Sequence, residues 1–167
     1  LKENSDVSKA AGSTTASENS VQLALDYLAR HQDPSGAFDQ QHFLDMCDKP
    51  GCPVSDGSRI QFDPVGVSSL CTLAFFGAAR EPAKGRYGGV LHRAMEYLLT
   101  RQLPLGDYFE NDLIGGYNRP LACQAYAEAA VTTHDPIYLP YVQRGVDFMG
   151  AIQAEKGGWR YRVVDNA

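Results

Sequence analysis

The amino-acid sequence predicts an all-α fold built from repeated helical hairpins. Three windows align without a gap: ALDYLARHQDPSGAF from Ala24, AMEYLLTRQLPLGDY from Ala94 and GVDFMGAIQAEKGGW from Gly145. Within each window the apolar residues fall three or four positions apart, which is the spacing of one helix face. No stretch of the sequence shows the alternation that is typical of a strand. Together these observations indicate a helical repeat architecture.

Each copy ends in a glutamine, a glycine four residues later and an aromatic residue two positions beyond the glycine. The glutamines are Gln32, Gln102 and Gln153, the glycines are Gly36, Gly106 and Gly157, and the aromatic residues are Phe38, Tyr108 and Trp159. The glutamine is expected in the last turn of its helix, where its amide can donate to carbonyl groups that lack an intrahelical partner. The glycine permits a left-handed turn that ends the helix, and the aromatic ring is expected to pack against the neighbouring helix. We interpret all three columns as structural.

Helix-start signals place the other elements. Asp63 with Pro64, and Asp135 with Pro136, each combine an N-cap acid with a proline suited to the first helical position. Asn118 is a third N-cap candidate. The helices after Asp63 and Asn118 are rich in small residues, which suits positions where helices crowd. The sequence predicts helices at residues 20–32, 64–79, 86–102, 119–132 and 136–153.

The first nineteen residues differ in composition from the rest of the chain. They are polar, rich in Ser and Ala, and contain no aromatic residue. Such a segment buries too little apolar surface to offset the entropy that ordering costs. We predict a flexible tail or linker over residues 1–19 and a repeat domain over residues 20–167.

Charge and hydropathy argue against two kinds of partner. The formal net charge is −5, whereas non-specific nucleic-acid binding depends on clustered Lys and Arg. The longest uncharged apolar stretch, residues 64–79, is shorter than a membrane span and contains Ser68, Ser69 and Thr72. We therefore expect no nucleic-acid partner and no membrane span in this segment.

The order of glutamine, glycine and aromatic residue after a helix resembles the QW-type repeat of squalene and oxidosqualene cyclases and of protein prenyltransferase β-subunits. The similarity covers residues 20–167 and is closest to bacterial, planctomycete-type proteins with prenyltransferase/squalene-oxidase repeats. The segments that carry it are VGVSSLCTLAFFGAA, YNRPLACQAYAEAAVTTHDP and RGVDFMGAIQAEKGGWRYRVVDNA. The resemblance implies an α/α toroid, in which helical hairpins stand in a ring around a central cavity. It implies little about activity, because the repeat residues are structural.

The resemblance also implies a partner, because the chain holds fewer hairpins than a closed ring of this family. We expect the rest of the same protein, or a second copy, to complete the toroid. Two apolar flanks are expected to need such cover. They carry Leu23, Leu25 and Tyr27 at one end, and Trp159 and Tyr161 at the other.

The motifs of the catalytic relatives are absent from this sequence. It contains neither the D-x-D-D motif that protonates the substrate in cyclases nor the D-D-x-x-D motif that binds Mg²⁺ in ionising terpene synthases. Asp107, Glu110 and Asp112 lie in one loop, but a glycine-flanked polar loop is more typical of a solvated surface than of the partly dry site that acid–base catalysis needs. We assign no catalytic residue and no cofactor.

A long loop after the first helix carries possible metal ligands. His42, Cys47 and Cys52 could supply three ligands to zinc, although the C-x4-C spacing is looser than usual. Two other interpretations stay open: a Cys47–Cys52 disulfide, in an exported or cell-envelope protein, and free thiols. Cys71 and Cys123 lie within apolar helices and are predicted to be small core residues.

Four residues of the fourth helix are candidates for binding a ligand. Gln124 and Glu128 lie four positions apart and so share a helix face, and Tyr117 and Arg119 lie just upstream. All four could face the cavity of a toroid. The alternative is that Gln124 and Glu128 form a polar pair on a solvated edge.

The function predicted from these features is a non-catalytic part of a toroidal binding module whose ligand is unknown. One alternative is a fragment of an enzyme that acts on isoprenoids or polysaccharides, with its catalytic groups elsewhere. Another is a protein-interaction scaffold, since helical repeats offer broad surfaces. Aromatic walls with an acid would favour isoprenoids, polar rows with Trp would favour sugars, and a filled interior would favour scaffolding.

Overall fold

The protein is all-α over the residues that the structure describes. A computed structural model describes residues 10, 12–40, 42–43, 45–47, 63–78, 85–108 and 115–160. No strand occurs in these ranges, so the predicted fold class is confirmed. The α-helices of the described ranges are α1 Thr15–Arg30, α2 Val65–Ala78, α3 Gly88–Arg101, α4 Gly115–Thr133 and α5 Leu139–Ala151. A short 3-10 helix, Pro136–Tyr138, leads directly into α5.

The helices form two layers. The most extensive packing joins α2 to α4, and α3 and α5 pack against α2 and α4 respectively. In its layer α2 approaches α4 closely, because Gly66 lacks a side chain and a Cβ there would overlap the amide of Asn118. Ser68, Ser69 and Thr72 are fully buried, so small residues do mark the crowded helices, as predicted. The structure is therefore a stack of helical hairpins, with α2 and α4 in one layer and α1, α3 and α5 in the other.

Large side chains fill the space between the two layers. Phe75 of α2, Leu98 of α3 and Tyr126 of α4 are all fully buried. The Tyr126 hydroxyl donates to the carbonyl oxygen of Leu98 at 2.5 Å. Burial raises the pKa of Tyr126, so the phenol remains a neutral donor at physiological pH. The hydrogen bond links the two layers through the interior.

The first helix begins earlier than the composition predicted. Thr14 and Ser17 form a reciprocal capping box, in which Thr14 Oγ1 accepts from the Ser17 backbone N–H at 3.1 Å and Ser17 Oγ accepts from the Thr14 N–H at 2.9 Å. This cap starts α1 at Thr15. The predicted boundary at residue 19 was therefore wrong, since residues 15–19 are helical. Residues 1–9 of the predicted tail lie outside the described residues.

The three N-cap predictions had different outcomes. Asp63 and Asp135 cap as predicted, because their carboxylates accept from the backbone N–H groups of Val65 at 3.0 Å and Ile137 at 2.9 Å. Asn118 was predicted wrongly as a cap. It lies inside α4, which starts at Gly115, and its buried side chain packs against α2 rather than against its own helix end.

None of the helices in the described ranges is long and apolar enough to span a lipid bilayer.

Candidate functional site

The first glutamine of the repeat joins the end of α1 to α3. Gln32 Nε2 donates to the carbonyl oxygens of Gly36 at 3.0 Å and Val90 at 2.9 Å. Its Oε1 accepts from Arg93 Nη2 at 2.6 Å. Gln32 is buried, so this one amide satisfies a loop carbonyl and a helix carbonyl and also holds a guanidinium group. We call the glutamine, glycine and aromatic residue at the end of each repeat an edge, and Gln32 belongs to the first edge.

The second glutamine joins the end of α3 to α5 in the same way. Gln102 Nε2 donates to the Tyr141 carbonyl oxygen at 3.0 Å and to the Tyr108 hydroxyl at 3.1 Å. Its Oε1 accepts from Arg144 Nε at 3.1 Å. In this second edge the carbonyl and the arginine come from the next helix of the layer, as at the first edge. The amide was predicted to donate to carbonyl groups that lack an intrahelical partner, whereas it donates to a carbonyl of the next helix of the layer and to a hydroxyl group.

The glycine column allows the helix backbone to approach closely. Gly36 and Gly106 have φ values of +93° and +95°, in the left-handed region that favours glycine. A Cβ on Gly36 would overlap the carbonyl oxygen of Arg93, and one on Gly106 would overlap that of Arg144. Each glycine thus lies directly against the helix that supplies the arginine. The glycines lie in the loop and not at the helix cap, which refines the prediction.

Two aromatic residues of the third column pack against a neighbouring helix, as predicted. Phe38 stacks on Phe75 of α2 with ring centroids 6.0 Å apart, and Tyr108 stacks on Tyr126 of α4 at 6.2 Å. Both are almost completely buried. Trp159 differs, because half of its surface is exposed and its Nε1 donates to the Met149 carbonyl oxygen at 2.8 Å.

The third edge, defined by Gln153, Gly157 and Trp159, has the same loop but no helix against it in the described structure. Gln153 is exposed, and its Nε2 donates to the Gly157 carbonyl oxygen at 3.0 Å. A Cβ on Gly157 would meet nothing within 4 Å. The loop is nevertheless formed, because Gly157 donates to Ala154 at 2.8 Å and Ala154 donates to Gly158 at 2.9 Å, as in the other two loops.

The first edge also contains an acid, Asp26, which meets a tyrosine that precedes α3. Tyr87 donates from its hydroxyl to Asp26 Oδ1 at 2.6 Å, and Arg86 pairs with Asp26 at 2.9 Å. The Tyr87 hydrogen bond and the Arg86 charge lower the pKa of Asp26. Tyr138 takes the place of Tyr87 at the second edge. Its pKa is raised by burial and by the carboxylates of Asp135 and Glu96.

The four predicted ligand-binding residues do not form one group. Tyr117, Gln124 and Glu128 share an exposed face of α4. Arg119 is buried and pairs with Asp107, with Nε 2.8 Å from Oδ1 and Nη2 3.2 Å from Oδ2. Its guanidinium also lies 5.4 Å from the centroid of the Phe148 ring, so Arg119 ties α4 to the second loop and to α5.

The exposed face of α4 continues onto α2, its neighbour in the layer. Val67 and Leu70 of α2 are 37% and 52% exposed, and Val131 of α4 is 69% exposed. We call this surface the α2/α4 face. It combines apolar residues with a single carboxylate, so it is suited to a partner that is itself partly apolar. Its members on both helices are Val67, Leu70, Tyr117, Gln124, Glu128 and Val131.

Only part of the proposed zinc or disulfide loop lies in the described residues. His42 Nδ1 is 2.8 Å from Asp39 Oδ2, and this contact raises the pKa of His42. Cys47 is half-buried, while Cys52 lies outside the described residues, so both interpretations of the loop stay predictions. Within the described ranges no three His, Cys, Asp or Glu side chains are grouped to hold a metal ion. Asp107, from the acidic loop, is held by Arg119, and Glu110 and Asp112 lie outside the described residues.

The sequence alignment missed the arginines that contact the first two glutamines and the tyrosines that precede these arginines. Arg93 and Arg144, and likewise Tyr87 and Tyr138, are 51 positions apart, as are Gln102 and Gln153. Extending the last two windows upstream by seven columns would have found both pairs. The aligned windows began at Ala94 and Gly145, just after the arginines.

No protein-family model and no solved structure matches this chain. The resemblance to toroidal repeat proteins therefore still depends on the sequence columns, and the toroid remains a prediction.

Proposed function

We propose that this chain is a non-catalytic module of stacked helical hairpins, part of an α/α toroid, which acts as a scaffold for a protein partner. The observation that carries the proposal is the use of the repeat side chains. Gln32 and Gln102 each direct their amide to the next helix of the same layer, and both the nitrogen and the oxygen of the amide form hydrogen bonds there. At these two edges the glutamine side chains thus join helices.

No ligand fits between the two layers of the described residues. Phe75, Leu98 and Tyr126 occupy that space, which in a toroid is the wall of the ring and not its central cavity. The ion pair with Asp107 engages Arg119, the one buried arginine of the described residues, so Arg119 is a weak candidate for substrate binding. A partner has to bind on the outside, and the remainder of a toroid or a second copy is one such partner.

The α2/α4 face is our proposed site for the protein partner. Helical repeats commonly present one continuous layer to their ligands, and this face exposes Leu70 and Val131 together with Tyr117, an aromatic residue of the kind that is enriched in interfaces. Gln124 and Glu128 would supply polar contacts beside them. The face carries no Lys or Arg among its named residues, so an acidic ligand is disfavoured.

Site-specific photocrosslinking tests this proposal. A photoreactive residue at Gln124, in extract of the producing cells, is expected to give a protein adduct, which Leu70→Glu removes. The matched control is the same reagent at Thr100, an exposed residue of the other layer. Incubation with farnesyl diphosphate and with cello-oligosaccharides forms the second arm. Turnover of either substrate, or adducts that are equal at Gln124 and Thr100, would contradict the scaffold function.

A further inference from the structure

The third edge presents the same groups as the two edges that are occupied. Gln153, Gly157 and Trp159 repeat the glutamine, glycine and aromatic columns, and the loop keeps the same two backbone hydrogen bonds. Asp147 takes the place of Asp26 and Glu96, and in the described structure its hydrogen bond comes from Gln143 of its own helix at 2.7 Å. Beside Trp159 lies a groove lined by Gly116, Arg119, Pro120, Met149, Ile152 and Arg160.

The helices at the occupied edges share one set of contact residues. At both edges an arginine meets the glutamine oxygen, a tyrosine lies six positions before the arginine, and a small residue follows it. At the first edge this tyrosine donates to the acid. In α3 this set is Tyr87, Arg93 and Ala94, and in α5 and the turn before it the set is Tyr138, Arg144 and Gly145. The small residue is needed because position 94 is fully buried and a Cβ at Gly145 would lie 3.2 Å from Cys123 Sγ.

We propose that the third edge binds an α-helix from outside these 167 residues that carries this set: tyrosine, then arginine six residues later, followed by alanine or glycine. The tyrosine donates to Asp147, the arginine donates to Gln153 Oε1, and the arginine's own carbonyl lies against Gly157. Trp159 is covered by the same docking. The inference is independent of what the α2/α4 face binds, because the two surfaces share no residue.

The alternative occupant on the same surface is α1 of a second copy, and its sequence does not fit. Aligned with α3 and α5, α1 has Ser17 in place of the tyrosine and Leu23 in place of the arginine. Only the small residue, Ala24, is retained. A second copy would therefore leave both Asp147 and Gln153 without their charged or hydroxyl partner, so we favour the foreign helix.

Trp159 provides the assay, because it is the only tryptophan in the chain and is half-exposed at the edge. The full chain is titrated with a synthetic peptide of residues 135–152, DPIYLPYVQRGVDFMGAI, which contains no tryptophan. The titration extends to millimolar peptide, since an isolated helix of this length is only marginally stable in water. We expect a saturable blue shift of the Trp159 emission.

Peptide variants identify the contact. Arg144→Ala in the peptide is expected to weaken binding about tenfold, as is Gln153→Ala in the chain, and the two together should weaken it little further because they remove the same hydrogen bond. Gln143→Ala in the peptide is the matched control, since this exposed position makes no contact at the occupied edge, and its binding should be unchanged. Circular dichroism checks that Gln153→Ala leaves the chain folded.

Three results would overturn the proposal. The first is the absence of any shift at millimolar peptide, and the second is a shift that Arg144→Ala does not weaken, which would mean non-specific apolar contact with Trp159. The third is equal or tighter binding of a peptide of residues 13–30, which would assign the edge to α1 of a second copy.

Discussion

The carbonyl oxygen of Arg93 lies in the place that a Cβ of Gly36 would occupy, and the same holds for Arg144 and Gly106. Each close approach brings a loop against the helix of the next hairpin. The glutamine, which lies one or two residues past the end of the preceding helix, can then reach that helix as well. The glycine is thus required by a contact between repeats and not only by its own backbone angle. Gly157 has the angle without the contact, which allows the two requirements to be measured separately.

We predict that Gly36→Ala destabilises the protein more than Gly157→Ala. Both glycines have positive φ values, +93° and +86°, so both substitutions cost about 1–2 kcal/mol of left-handed strain. Gly36→Ala also forces the Arg93 carbonyl away, which adds about 1–3 kcal/mol for overpacking. Urea unfolding at equilibrium measures both losses. Equal losses would mean that α3 can move away at little cost and that the contact between Gly36 and the Arg93 carbonyl is not tight.

We predict that the cost of removing a repeat glutamine depends on whether its edge is occupied. Gln32→Ala removes three hydrogen bonds of a buried amide, to the Gly36 and Val90 carbonyls and from Arg93, at about 2–4 kcal/mol of unfolding free energy. Gln153 is exposed and its side chain makes one described hydrogen bond, to Gly157, so Gln153→Ala should cost only about 0.5–1 kcal/mol. The same urea series provides the comparison. A loss at Gln153 as large as that at Gln32 would show that the third edge is covered within the chain itself.

The repeat columns were predictable because three copies made the pattern visible. A glutamine just past a helix, followed by a glycine and an aromatic residue, indicates a helix end and a turn from its own sequence, although the contacts that require these residues lie between repeats. The receiving residues were harder to find. Arg93 and Arg144 precede the aligned windows, and nothing in the sequence says that their guanidinium groups turn towards a preceding loop.

The errors have a common physical cause, which is that burial is decided by distant elements. Asn118 has the composition of an N-cap but packs against Gly66, a contact between helices that lie far apart in the sequence. Arg119 was grouped with Tyr117, Gln124 and Glu128 by proximity in the chain. The turn of α4 instead carries it to the opposite side, where Asp107 neutralises it.

We predict that acid weakens the folded state partly through Asp26. Its folded pKa lies below the ordinary value of 3.8, first because Tyr87 donates to it and then because Arg86 is nearby. A lowered folded pKa gives stability that is present above the unfolded pKa and is lost as the pH falls through that value towards the folded one. The urea concentration at the unfolding midpoint should therefore decrease as the pH is lowered from about 5 to 3. The decrease should be less steep in Asp26→Asn than in the unmodified chain. Asp33, whose pKa is also lowered by its hydrogen bonds with Ser35, accounts for a slope that remains. Identical slopes in the two chains would rule out the Asp26 contribution.

We predict that Cys71 and Cys123 resist thiol reagents until the chain unfolds. Both are buried, and burial raises the pKa of Cys71 from 9.0 to about 11 and raises that of Cys123 as well. Because the thiolate is the reactive form, a disulfide reagent at pH 8 should label neither residue in the native protein, and labelling should follow the urea transition. Cys71→Ala and Cys123→Ala variants assign the signals by mass spectrometry. The same shift has a thermodynamic consequence: a raised folded pKa means that the stability contributed by the neutral Cys71 thiol is present below pH 9 and declines above it, as the unfolded thiol ionises first. Rapid labelling of Cys71 without urea would mean that α2 opens locally and that the small-residue packing of α2 against α4 is looser than its buried serines and threonine indicate.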